Sequence, residues 1–195
     1  MDGKCRMKEF LESIGQAQEL CAFLPRQTGL SGGWHVVATL FLPNRPPLSA
    51  EGAGNRLSDA EADAATQILE ELDQEVLMAV VGPRLQREAQ AGDALLKLAG
   101  YLGAASPEAG SLWLQGRESN AALASVYDAW VAGGDPDLQL YGGALGVVRK
   151  ATIVEALIWR RYRSRILSTG AADALAELRS VVGEPVPASP VELLP

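Results

Sequence analysis

Few residues in this chain of 195 are of the kinds that carry out chemistry, and their spacing argues against most familiar reactions. Its single histidine, His35, stands between Trp34 and Val36 in the apolar run WHVVATLFL. A catalytic triad or a catalytic zinc centre needs histidine beside a nucleophile or further ligands, and no HExxH, CxxC or carboxylate-x-x-His helix motif accompanies this one. His35 therefore reads as a structural, hydrogen-bonded core residue. Cys5 and Cys21 lie sixteen positions apart and read as two reduced thiols, one of them buried, because two cysteines in so long a chain make no disulfide framework. The run Gly142-Gly143-Ala144-Leu145-Gly146 is glycine-rich but is neither a P-loop nor GxGxxG. Its simplest reading is a close helix–helix approach. Asp59, Glu61, Asp63, Glu70, Glu71, Asp73 and Glu75 lack EF-hand spacing and read as the solvated face of a helix. The sequence implies no metal and no cofactor.

Basic residues give a more specific signal. Arg149, Lys150, Arg160, Arg161, Arg163 and Arg165 crowd one segment that holds a single acid, Glu155. At 100° per residue they fall on one broad arc, and Val147, Ala151, Val154, Ile158, Tyr162 and Ile166 fall on the opposite one. Such a helix can dock an acidic partner surface, or it can pair with the protein's own acidic helix after Ser58; both readings stand. The aromatic residues Trp130, Tyr141 and Trp159 are candidates to line a pocket between helices, with a convergent arginine.

These residues must be positioned by elements that the apolar periodicity outlines. Phe10, Ile14, Ala17, Cys21 and Leu24 form one face of a helix that Pro25 ends. WHVVATLFL is compatible with strand or buried helix, and helix is the reading preferred because no second strand-like segment is evident. Pro43 to Arg56 reads as a long Pro/Gly loop. Ser58-Asp59-Ala60-Glu61 resembles a capping box and opens a helix using Ala65, Ile68, Leu69, Leu72, Val76 and Val80. Gly82-Pro83 starts the next, running to about Leu102 and expected to form an antiparallel hairpin with the previous one. Ser111 to Leu114 reads as a short buried turn. Ser119 caps a further helix, Asp137 caps a long one through Leu167, Gly170 stops it, and Ala171 to Val182 form the last.

The expected fold class is therefore all-α: a single-domain helical bundle, residues 1–183, of about six or seven helices. It has one long Pro/Gly loop and a Pro-rich, extended tail over 184–195. With 48% hydrophobic and 21% charged residues the chain has enough apolar material for a large core. The formal charge of −7 disfavours nucleic acid and anionic membranes as general partners. No apolar run is long enough to span a bilayer and no secretory signal pattern opens the chain, so a cytoplasmic protein is expected.

Ala129-Trp130-Val131-Ala132-Gly133 followed by Tyr141-Gly142-Gly143-Ala144-Leu145 resembles a segment of the small subunits of membrane-bound flavin-dependent sorbitol, fructose and glucose dehydrogenases. Leu20-Cys21-Ala22-Phe23 with Thr28-Gly29 resembles an earlier segment of that family. Val131 replaces the family's tyrosine, and its twin-arginine signal and aromatic C-terminal segment have no counterpart here. Val37 to Pro47 is similar to an early segment of the helical chaperones of molybdoenzyme maturation. Both resemblances imply a non-catalytic accessory protein that binds another polypeptide. Two further functions fit an all-helical chain: an enzyme or small-ligand binder with a pocket between helices, and a nucleic-acid-associated protein using the basic helix.

Overall fold

The computed structural model describes residues 2–28, 32–72, 77, 80 and 82–183. Among these the fold is mixed, not all-α. A three-stranded antiparallel sheet of order β1-β2-β3 accompanies seven α-helices: β1 is Cys21–Thr28, β2 Gly33–Leu40 and β3 Leu48–Gly54. WHVVATLFL contributes β2, and its partners lie in segments that read otherwise from sequence. β1 occupies the end of the expected first helix. β3 occupies the expected Pro/Gly loop. The physical reason is a period of two hidden under a period of 3.6. Val36, Ala38 and Leu40 are buried while His35 and Val37 are exposed, the alternation of a strand with one covered face.

The first helix, α1 (Gly3–Ser13), ends far short of Pro25 because the chain turns at Gly15, whose φ of +68° suits glycine. α2 (Leu57–Glu71) begins one residue before Ser58, so Arg56 is its N-cap and no side chain caps it. The serine hydroxyl instead donates to Asp59, and the capping box does not form. Val76 lies outside the described residues.

The chain divides into two compact units. In the first, residues 1–85 and 130–146, α1 and α2 pack together and α2 packs on β2 and β3. The buried face of the sheet is made of Val36, Ala38, Leu40 and Ala50, and α2 answers with Ala60, Ala64, Ala65 and Ile68. Small residues let strand and helix approach closely. A Cβ at Gly52 would overlap the Ala60 carbonyl oxygen and stand 2.9 Å from the Ala64 methyl. Gly142 meets a loop, not another helix: its N–H donates to the Ile14 carbonyl at 2.7 Å, and a Cβ there would overlap the Gly15 backbone. Gly143 and Gly146 face open space, so the helix–helix role expected of this glycine run is not found.

The second unit, residues 86–129 and 147–195, is helical where described. It holds most of α3 (Pro83–Leu102), then α4 (Pro107–Gln115), most of α5 (Asn120–Ala132), α6 (Val147–Thr169) and α7 (Ala171–Val181). The segment read as a short turn at Ser111 to Leu114 is part of α4, whose N-cap is Ser106. Ser119 caps α5, accepting from the Ala122 N–H. Asp137 does not cap α6; it sits in a 3₁₀ turn, Pro136–Leu138, that Asp135 caps. Gly170, at φ +96°, separates α6 from α7, and these two helices pack on each other. Of α3, expected to form a hairpin with α2, only Pro83–Leu85 fall in the unit that holds α2.

Trp113 is a packing anchor of this unit. The guanidinium groups of Arg117 and Arg179 lie 4.7 and 4.9 Å from its ring. Arg179 also donates to the Ala99 and Gly100 carbonyls at the end of α3, which helix termini leave without partners inside the helix. No described helix is long and apolar enough to cross a membrane.

Candidate functional site

Alternation along three paired strands gives the sheet two unlike faces. α2 lies against one. On the other, the register sets Arg26 beside His35 and Ala53, Leu24 beside Val37 and Glu51, and Ala22 beside Thr39 and Ser49. Phe41 continues the β2 row, its N–H donating to the Leu20 carbonyl at 2.8 Å. Leu24, Val37 and Phe41 are 67%, 37% and 46% exposed. Isolated exposed apolar side chains are ordinary, but Leu24 and Val37 stand side by side, with Phe41 two rows along beyond Thr39, and adjacent exposed apolar groups mark binding surfaces. Leu24, Arg26, Gln27, Thr28, His35, Val37 and Glu51 border an open groove of about 480 Å³. His35 thus belongs to a surface, not to the core.

The two edges of the sheet differ: α2 lies against the β3 edge, and Pro25 interrupts the row of donors on the β1 edge. On β3, the Ala53 N–H donates to Asp63 at 3.1 Å and the Glu51 carbonyl accepts from Gln67 at 2.9 Å, so α2 occupies that edge's outward backbone groups. On β1 the Leu20–Phe41 bond fixes the ladder's phase: Cys21, Phe23, Pro25 and Gln27 direct their backbone groups to the free edge. Pro25 has no N–H to offer there. A proline on an edge strand blunts pairing with a further strand, and this is its role here in place of the helix stop expected from sequence.

Neither cysteine is set up as a nucleophile. Burial pushes the Cys21 thiol up to about 11, and a hydrogen bond to the Asp2 carboxylate raises Cys5; a reactive thiol needs the opposite shift. Both are free, and both border an apolar groove beside α1 with Met7, Leu11 and Phe23. The described acidic residues after Ser58 include Glu61, paired with Lys4, and Asp63, bound to the β3 edge. Among the described residues no group of His, Cys, Asp and Glu could hold a metal ion.

The basic residues of α6 do not form one outer stripe. Ala151, Ile153, Val154, Ala156, Leu157 and Ile158 are all buried, so the middle of the helix is enclosed on most sides. The cations sit towards its two ends, and three of them meet carboxylates of their own unit. Lys150 pairs with Asp128 of α5 at 2.7 Å, Arg160 with Glu88 of α3 at 2.6 Å, and Arg165 with Glu177 of α7. Arg149 and Arg161 are half-buried and Arg163 is exposed. Of the aromatic candidates, Tyr141 is buried, and Trp130 and Trp159 are half-buried. Trp130 and Tyr141 belong to the first unit and Trp159 to the second.

Glu155 is held far from its ordinary range. Partial burial pushes its carboxyl from 4.5 to about 7, Asp93 adds to the rise, and Lys97 opposes it. The folded chain therefore keeps a proton on Glu155 at pH values where the unfolded chain has released it. Stability from this group is complete below about pH 4.5 and is lost as pH rises through 7. Because the side chain is only half buried, solvent screening reduces the effect to about 1 kcal/mol. Glu155→Gln is expected to raise the melting temperature at pH 8 by roughly 2–4 °C and to leave it unchanged at pH 4.5. Equal shifts at both pH values would remove the titration from the explanation.

The signal for the sheet face in the sequence was slight: the β-branched Val36, Val37 and Thr39 permit a strand, but Val36 and Val37 are the same residue type, and only the folded strand shows which of them is covered. What sequence could not supply was the register that sets Leu24, Val37 and Glu51 side by side. No family model, curated protein or solved structure matches this chain.

Proposed function

We propose that this chain is a non-catalytic accessory protein that binds another polypeptide, and that the open face of its sheet is the docking surface. The observation that carries the reading is the patch of Leu24, Val37 and Phe41 on a face whose edges are blunted by Pro25, Asp63 and Gln67. The arrangement of the other candidates favours this surface over them. Lys150, Arg160 and Arg165 of the basic helix already have carboxylate partners, which weakens both the docking of an acidic partner there and the use of that helix on nucleic acid. The resemblance to dehydrogenase small subunits and to molybdoenzyme chaperones points to the same class of work, an accessory role beside another polypeptide.

Affinity capture of binding polypeptides from cells that make the protein provides the test, comparing the native chain with Leu24→Glu/Val37→Glu and with Arg163→Glu. Both altered positions of the double variant are exposed, so its melting temperature is expected to stay within a few degrees of the native value. Capture is expected to fall at least tenfold in the double variant and to persist in Arg163→Glu. The reverse pattern would move the docking surface to α6 and end this reading.

A further inference from the structure

Resting on that docking surface, we propose that the polypeptide it takes is a second copy of this chain, packed face to face across a two-fold axis that runs along β2. The argument is the self-complementarity of the face. A two-fold interface needs one patch that matches itself, so that each group meets its complement on the partner. Here the apolar centre is Val37 on the middle strand with Leu24 beside it and Phe41 in line. A cation, Arg26, stands on the edge strand β1, and an anion, Glu51, stands on the opposite edge strand β3, one row along.

Rotation about an axis parallel to β2 lays β1 of each copy over β3 of the other. Val37 and Phe41 then meet their own counterparts on the axis. Arg26 comes to lie over the row next to the partner's Glu51, about 7 Å along the strand, with the sheets about 10 Å apart. An extended arginine side chain spans that offset. Both ion pairs form at once, and like charges stay on opposite strands. This is the aligned packing that twisted sheets adopt, and it would produce helix, sheet, sheet and helix layers. A partner carrying only one sign of charge would leave Arg26 or Glu51 without an answer.

The face is small. Three strands about 4.8 Å apart and four rows deep cover roughly 350–400 Å² per copy, against about 800 Å² per partner in a stable complex. An interface of this size is of the weak, reversible class.

Sedimentation of the full chain across roughly 10 µM to 1 mM tests this. The native chain is expected to pass from monomer to dimer. Arg26→Glu alone and Glu51→Arg alone each set like charges together in both ion pairs, and each is expected to weaken association at least tenfold. An equimolar mixture of the two variants restores both pairs in the heterodimer, so association is expected to return towards the native value. Monomer at every concentration, or single variants as dimeric as the native chain, overturns the proposal. So does a mixture no better than its components. If the chain is monomeric but Leu24→Glu/Val37→Glu still abolishes capture of a different polypeptide, the docking surface stands and only the second copy is refuted. If the double variant changes neither, both readings fail.

Discussion

Gly92→Ala is expected to destabilise the protein by about 2–4 kcal/mol, although alanine is the better helix former. Gly92 lies within α3 (Pro83–Leu102), where α6 (Val147–Thr169) passes so close that a Cβ would overlap the Glu155 carbonyl oxygen and stand 2.6 Å from its carbonyl carbon. Those are backbone atoms, so no rotamer change can make room and one helix must move. Overpacking costs about 1–3 kcal/mol where side chains can yield and occasionally more, and with backbone on both sides a cost at or above that upper end, about 3–4 kcal/mol, is expected. The intrinsic gain from replacing a helical glycine is only about 0.5–1 kcal/mol, and sterics win. Thermal melting should show a loss of roughly 5–10 °C. Gly146→Ala serves as the control, since nothing lies within 4 Å of its added methyl, and it should melt close to the native protein. Indistinguishable melting of the two variants would show that the helices are not in contact at Gly92.

Arg160→Met is the second substitution with a large expected effect. The Arg160 guanidinium donates to Glu88 at 2.6 Å, and the Glu88 side chain is only 8% exposed. Removing one member of a buried ion pair leaves the other charge poorly compensated, which costs about 3–5 kcal/mol in fully buried cases. Arg160 is 25% exposed, so about 2–4 kcal/mol is expected here, read from the denaturation midpoint in urea. Replacing both charges with apolar residues of similar size is often neutral. Glu88→Leu added to Arg160→Met should therefore recover part of the loss. A double variant no more stable than the single one would show that burial of the Glu88 charge is not the source of the cost. Arg160 is thus a structural cation. A charge reversal there would test folding before it tested binding, which is why Arg163 is the informative position on α6 for partner capture.

Some caps and breaks were legible in the sequence, whereas the capping box at Ser58, the cap at Asp137 and the helix stop at Pro25 were not found. The helices over Pro83–Leu102 and Ala171–Val181, the Ser119 cap and the stop at Gly170 follow from local rules: proline suits a first turn, a hydroxyl accepts from an open amide, and glycine adopts positive φ. Each depends on residues within a few positions of one another. The alternation of buried Val36, Ala38 and Leu40 with exposed His35 and Val37 is not of this kind, because it exists only once α2 covers one face of the strand.

The sheet was decided by tertiary structure. Leu48–Gly54 carries little strand signal of its own, since Ala50, Gly52 and Ala53 are small and weak strand formers. It is a strand because β2 pairs with it on one edge, α2 fills the other, and only small residues admit the close approach of that helix. Pro25 changed meaning for the same reason: whether it ends a helix or guards an edge depends on what pairs with its neighbours. The basic residues of α6 followed suit. Their types and spacing are sequence facts, but Asp128, Glu88 and Glu177 answer three of them only because other helices of the unit bring those acids alongside. Short-range rules set the local helices and turns, and every feature that needs a partner from elsewhere in the chain waited on packing. The open face of Leu24, Val37 and Glu51 is of the second kind, because three distant segments must pair before it exists.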